Sequence, residues 1–230
     1  MNYSIPFYCI LFFFIACKKT EKRNETLQNL DLEYATGFTI EYGDTYKKVH
    51  IQKTENEIST FLLIPKNRKV PKHKTETQII RTPVERIILT STTHVPILEE
   101  LGVAHTLVGF PDPNYISSKK TRKRIEDKLV QNIGNSQTIN TELVLALQPE
   151  LLIGFQSGSS NKALQTIKKS GIPVLINRDW QEKTPLGRTE WIRLFGVLFD
   201  KNKEADSLFN TIKTAYLEAK KNSYKSNNKP

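Results

Sequence analysis

The sequence predicts an α/β fold: a single lobe built on a mostly parallel sheet with flanking helices, preceded by an antiparallel β segment and closed by a long helix. Three observations carry this. From residue 83 onward, short apolar runs alternate with amphipathic stretches, the pattern of strand–helix units with right-handed crossovers. Leu151-Leu-Ile-Gly-Phe155 is uninterrupted and apolar, as expected of a parallel strand covered on both faces. Residues 37–81 instead show short alternating runs with no helical period.

The chain divides into six stretches. Residues 1–16 are an export signal: residues 5–16 form an apolar block too short for the ~20 residues that span a bilayer. Phe14-Ile15-Ala16-Cys17 follows, with Cys17 the expected lipidation point, although no Lys or Arg precedes the block. Once Cys9 leaves with the signal, no second cysteine remains for a disulfide. Residues 17–35 are polar and weakly periodic, and read as a flexible tether. In the β segment, 36–82, Phe38-Thr-Ile-Glu-Tyr42 alternates, Gly43-Asp44 turns, residues 46–52 answer as a hairpin partner, and residues 60–64 add a third antiparallel strand.

Residues 83–200 form the α/β lobe. Its strands are expected at 86–90, 105–110, 128–133, 151–155 and 173–177. A helix at 93–101 ends at Gly102, and one at 161–170 ends at Gly171, since glycine supplies the left-handed C-terminal turn. Leu143, Val144 and Leu147 recur at helical spacing behind an Asn140 or Thr141 cap, and Gln148-Pro149 stops that helix. Residues 185–199 read as one helix bearing Trp191, Leu194, Phe195 and Leu198. A linker-type helix occupies 201–222, with its apolar positions from Ala205 to Tyr216, and 223–230 is a polar tail.

The charge of +10 is mostly lysine spread through tails and loops. Lys119-Lys-Thr-Arg-Lys-Arg124 is its one dense cluster; without interleaved aromatics it reads as a solvated loop, not a nucleic-acid contact. No G-x-G-x-x-G or P-loop follows a strand. Gly154-Phe-Gln-Ser-Gly158 lacks the centred serine of a nucleophile elbow, and no Asp…His pair follows it. A stand-alone α/β hydrolase-like enzyme using Ser91 or Ser157 is therefore the weaker alternative, for want of a base. Of four histidines only His94 lies at a strand mouth, so a zinc or manganese cage is not expected and no cofactor is implied. The strand-end loops Ser91–His94, Phe110–Tyr115, residues 155–160 and Arg178–Trp180 instead offer aromatics, hydroxyls, an amide and an arginine, the mixture of a small-molecule pocket. The residues argue for binding more than for catalysis.

Pro83-Val-Glu-Arg-Ile-Ile-Leu-Thr-Ser91, Leu101-Gly102, Leu107-Val-Gly-Phe110, Asn132-Ile-Gly134, the run from Asn140 to Phe155 and Thr184-Pro-Leu-Gly-Arg-Thr-Glu-Trp191 together resemble the N-terminal lobe of substrate-binding lipoproteins of ABC importers. The branch is the one serving ferric siderophores, haem and cobalamin, and the likeness covers about residues 37–216. It implies a lipid-anchored, monomeric protein of the bacterial cell envelope, on its periplasmic face, that hands an iron chelate or a corrinoid to a permease. It implies that Glu142 docks on the permease and that Phe155 stacks on ligand, with Phe110 or Tyr115 as a second aromatic wall. Ser91, Thr92, His94, Gln156, Arg178 and Trp180 would complete the ligand site. Trp191 is expected in the helix core. Such proteins have two lobes; here only residues 223–230 follow the linker-type helix, so the second lobe is expected to be missing.

Overall fold

The computed structural model describes residues 27–54, 56–135, 137–155 and 162–225. The export signal and Cys17 lie outside these residues, as do Gln156 and the serines that follow it.

Two five-stranded sheets organise the chain. The first runs in the order β1 (Gln28–Asn29), β2 (Phe38–Tyr42), β3 (Lys47–Thr54), β4 (Glu57–Pro65), β5 (Gln78–Thr82). Strands β2 to β4 pair antiparallel, as the hairpin signals predict, and β1 adds an unpredicted antiparallel partner to β2. Strand β5 corrects the expectation twice: it lies outside the strands that the sequence predicts, and it runs parallel to β4. The exposed loop between them is long enough to carry the chain back along β4, which a tight turn cannot do. Alternation places Phe38, Ile40, Val49, Ile51, Phe61, Leu63 and Ile80 on one buried face.

The second sheet is wholly parallel, in the order β10 (Val174–Asn177), β9 (Leu151–Phe155), β6 (Ile87–Leu89), β7 (Leu107–Phe110), β8 (Gln131–Asn132). Successive residues point to opposite faces, so each short strand feeds two cores. Ile87, Leu89, Leu107, Leu151, Ile153 and Leu175 join the larger one, with helices α1 (Val95–Glu100), α6 (Ile192–Phe199) and the first turns of α7 (Asn202–Lys225). Ile88, Val108, Leu152 and Val174 face α3 (Thr141–Ala146) and α4 (Lys162–Lys169) through Val144, Leu164 and Ile167. The first sheet packs its apolar face into the larger core around Trp191, whose ring centroid is 4.7 Å from that of Phe38.

Three further corrections concern elements. Residues 119–124 are not a loop: Ser118 caps α2 (Lys119–Glu126). Arg122 donates to the carbonyls of Asn114 and Ile116, Arg124 to those of His105 and Leu107, and Lys123 pairs with Asp127. Much of the basic cluster thus holds its own surroundings together. Residues 185–199 are two helices, α5 (Pro185–Glu190) and α6, meeting at Trp191. Residues 27–35, read as the end of the tether, are held to the lobe: β1 pairs with β2, and the N–H groups of Glu33, Tyr34 and Ala35 donate to the Glu190 carboxylate.

Candidate functional site

All five parallel strands end on one side of the sheet, and the loops leaving those ends form a mouth, the usual ligand position in open α/β sheets. After β9, Phe155 is 42% exposed; after β10, a turn at Asp179–Gln181 presents Trp180, 39% exposed. Their ring centroids lie 6.0 Å apart in an edge-to-face arrangement. Two large aromatics half open to water form a ready apolar wall, because covering either one removes substantial apolar surface from water. The backbone at Phe155 is fixed by its neighbour: its N–H donates to the Thr90 hydroxyl at 2.8 Å, and Thr90 N–H donates to the Ile153 carbonyl at 3.2 Å. Arg178 stands between β10 and the turn, its Nε donating to Gln181 at 2.7 Å.

Beside this wall a groove of about 680 Å³ runs between the antiparallel sheet and α4. Trp180 and Arg178 border it at the mouth end, and Ile51, Gln78, Leu164 and Ile176 line it further in. Gln78 spans the two sheets there, accepting from Val174 N–H at 2.9 Å and donating to Val174 carbonyl at 3.3 Å.

The other expected site residues divide into four groups. Thr92 and Tyr115 are exposed on their loops, Tyr115 at 77%, but no ring contact joins Tyr115 to the Phe155–Trp180 pair. Ser91 is half-buried and turned onto its own loop, its hydroxyl accepting from Thr93 N–H and bonded to the Thr93 hydroxyl at 2.8 Å. Phe110 and His94 are corrections: the larger core takes Phe110, and His94 is fully enclosed beneath the mouth against Phe195. Neither side chain is open to a ligand arriving at the mouth. Glu142 is exposed in the first turn of α3, where Asn140 caps the helix by accepting from Leu143 N–H at 2.9 Å. A carboxylate is favoured at that position by the helix dipole.

Thr90, Asn177 and Asp179 also belong to the mouth, beyond the residues that the sequence singles out. Thr90 has a signal, a polar residue closing an apolar run; Asn177 closes β10 in the same way, yet is fully buried. Asp179 stands between two residues already chosen, and only the fold shows that it faces His94, with Oδ2 at 3.7 Å from Nε2.

Similarity to known proteins agrees with this architecture. Residues 87–230 match the periplasmic binding protein family. An uncharacterised lipoprotein of Methanocaldococcus jannaschii is 28% identical over 186 residues, covering 75% of this chain and 47% of its own length. The vitamin B12-binding protein of Vibrio parahaemolyticus is 30% identical over 92 residues, 40% of this chain and 31% of that protein. In structure, the petrobactin-binding protein YclQ of Bacillus subtilis superposes with a TM-score of 0.51 at 16% identity, over 64% of this chain and 50% of that one. The chain therefore spans about half the length, or less, of these relatives. Among the described residues no helix is long and apolar enough to cross a membrane. With its parallel sheet, long closing helix and the match over residues 87–230, the chain belongs to the periplasmic binding protein family.

Proposed function

We propose that this lobe belongs to the substrate-binding component of an ABC importer, which captures an iron chelate of the ferric siderophore type and passes it to a permease. The observation that carries the reading is the half-exposed Phe155–Trp180 pair at the carboxyl ends of the parallel strands, with Arg178 beside it. Aromatic faces take the apolar flank of a chelate, and the guanidinium takes an anionic one. The lobe acts by binding, and the Ser91 hydroxyl at its mouth is engaged by its own turn.

A corrinoid is the second reading, favoured by the relative named for vitamin B12 and by the exposure of Phe155. Emission of Trp180 should be quenched saturably by one of three probes: ferrioxamine B, haem or cyanocobalamin. Competition between ferrioxamine B and cyanocobalamin separates the two readings. Phe155→Ala should weaken binding about five- to tenfold, since an aromatic pair contributes about 0.5–1.5 kcal/mol beyond the area it buries. If none of the probes quenches, including in a chain extended by a second lobe, the reading fails.

Two further residues belong to this proposal. Glu142 docks on a basic surface of the permease, its carboxylate exposed at the start of α3. Cys17 carries the lipid that holds the protein at the periplasmic face of a bacterial membrane. Metabolic fatty-acid labelling should be lost in Cys17→Ala, and an unlabelled wild type would overturn the anchor.

A further inference from the structure

Beneath the mouth lies a group of buried polar atoms without partners. His94 is 0% exposed, and among the described residues neither ring nitrogen has a hydrogen-bond partner. Asn177, also 0% exposed, leaves its amide nitrogen unpaired, while its side-chain oxygen accepts from Asp179 N–H at 2.8 Å. A buried polar group left unpaired costs about 1–3 kcal/mol, so such a concentration calls for a reason. The nearest charge gives one: Asp179 Oδ2 is 3.7 Å from His94 Nε2, too long for a hydrogen bond and within ion-pair distance.

We propose that His94 and Asp179 form a proton-linked latch that sets the position of Trp180 and so ties occupancy of the mouth to pH; this rests on the reading of the mouth as the ligand site. An imidazolium at Nε2 gains a charge-assisted hydrogen bond once Asp179 approaches by less than about 1 Å. Asp179 is the first residue of the turn that carries Trp180, so that approach moves the aromatic wall. A neutral imidazole gains far less and leaves Asp179 where its N–H meets the Asn177 side-chain oxygen.

The surrounding charges leave the pair to itself. On the same turn Arg178 is bonded to Gln181. From α6 the ring meets Phe195, while Arg193 is engaged by Glu190 and Asp206. On α1, Glu99 accepts from Ser118 and Thr121. Among the described residues Asp179 is the acid within ion-pair reach of the ring. The sign follows: the protonated form closes the latch and binds tighter, so affinity falls as pH rises.

The ligand-free protein tests the latch. Trp180 emission, isolated by subtracting the Trp180→Phe spectrum, should show a transition in acrylamide quenching when pH is scanned from about 5 to about 8. That transition should vanish in His94→Gln and in Asp179→Asn, and the double variant should add nothing further. A flat wild type, or a transition that survives in either variant, overturns the proposal. If His94→Gln does not fold, Asp179→Asn decides alone, since its side chain is partly open to solvent. With cyanocobalamin or ferrioxamine B, whichever binds, affinity should fall about tenfold over the same range, the scale of one charge-assisted hydrogen bond. An intact Trp180 transition with no ligand binding would count against the ligand reading and leave the latch standing.

Discussion

Glu190 accepts backbone N–H groups from Glu33, Tyr34 and Ala35 at 3.1, 2.8 and 2.8 Å, and Glu182 accepts those of Thr36 and Gly37 at 3.0 and 2.8 Å. Both carboxylates are buried, and Glu182 also accepts the Trp191 indole N–H at 2.9 Å. Together they secure the chain as it enters the antiparallel sheet. Gly37 is needed there because a Cβ would stand 2.8 Å from the Trp191 ring. Glu190→Ala leaves three backbone donors without their acceptor and removes one of the two carboxylates that pair with Arg193, and should cost about 3–5 kcal/mol in urea unfolding. His50 belongs to the same scale. Burial pushes its pKa below the usual histidine value; Glu41 opposes this and Lys48 adds to it. The neutral ring is therefore the form the fold prefers. Its contribution is full above about pH 6.5 and is lost as pH falls through the depressed folded value. Stability of wild type relative to His50→Asn should thus be constant at neutral pH and decline on the acid side, as followed by urea midpoints.

At the scale of elements, apolar patterning made most of the parallel strands legible, as in the runs ending at Leu89 and Phe155, while leaving other features hidden. Helix α2 is hidden in the sequence because Thr121 is its one buried position, so no apolar stripe marks it; its evidence is the Ser118 cap and arginines reaching back to carbonyls. The break between α5 and α6 was hidden for the opposite reason. Leu186, Trp191, Leu194, Phe195 and Leu198 continue one apolar pattern across the junction, and tertiary contacts to Glu182 and Phe38 decide where Trp191 turns. Trp191→Phe keeps most of the packing and loses the indole donor, so a cost of about 1–3 kcal/mol is expected by chemical denaturation. The site was legible to a similar degree. That strand ends would gather Phe155, Arg178 and Trp180 follows from parallel topology. That Phe110, which also ends a strand, turns into the core does not, because burial at a strand end depends on how the following loop folds back.

For the whole molecule, α7 shows where this lobe's cohesion stops. Its first turns are built in: Ala205 and Phe209 are fully buried, the Arg193 guanidinium lies 4.8 Å from the Phe209 ring centroid, and Lys213 pairs with Glu33 at 2.8 Å. Beyond Lys213, residues 214–223 are all exposed, and the large apolar side chains of Ile212, Tyr216 and Leu217 stand open at helical spacing. A helical stretch with no packed face must rely on local propensity, and isolated helices shorter than about 12–15 residues are marginal in water. Amide hydrogen exchange should therefore divide α7. Residues up to about Lys213 should open only with global unfolding, whereas those beyond should exchange orders of magnitude faster through fraying. Truncation after Lys213 should change unfolding stability by no more than about 0.5 kcal/mol. Equal protection along the whole helix would mean that the exposed row is covered in solution, and the truncation would then cost several kcal/mol instead.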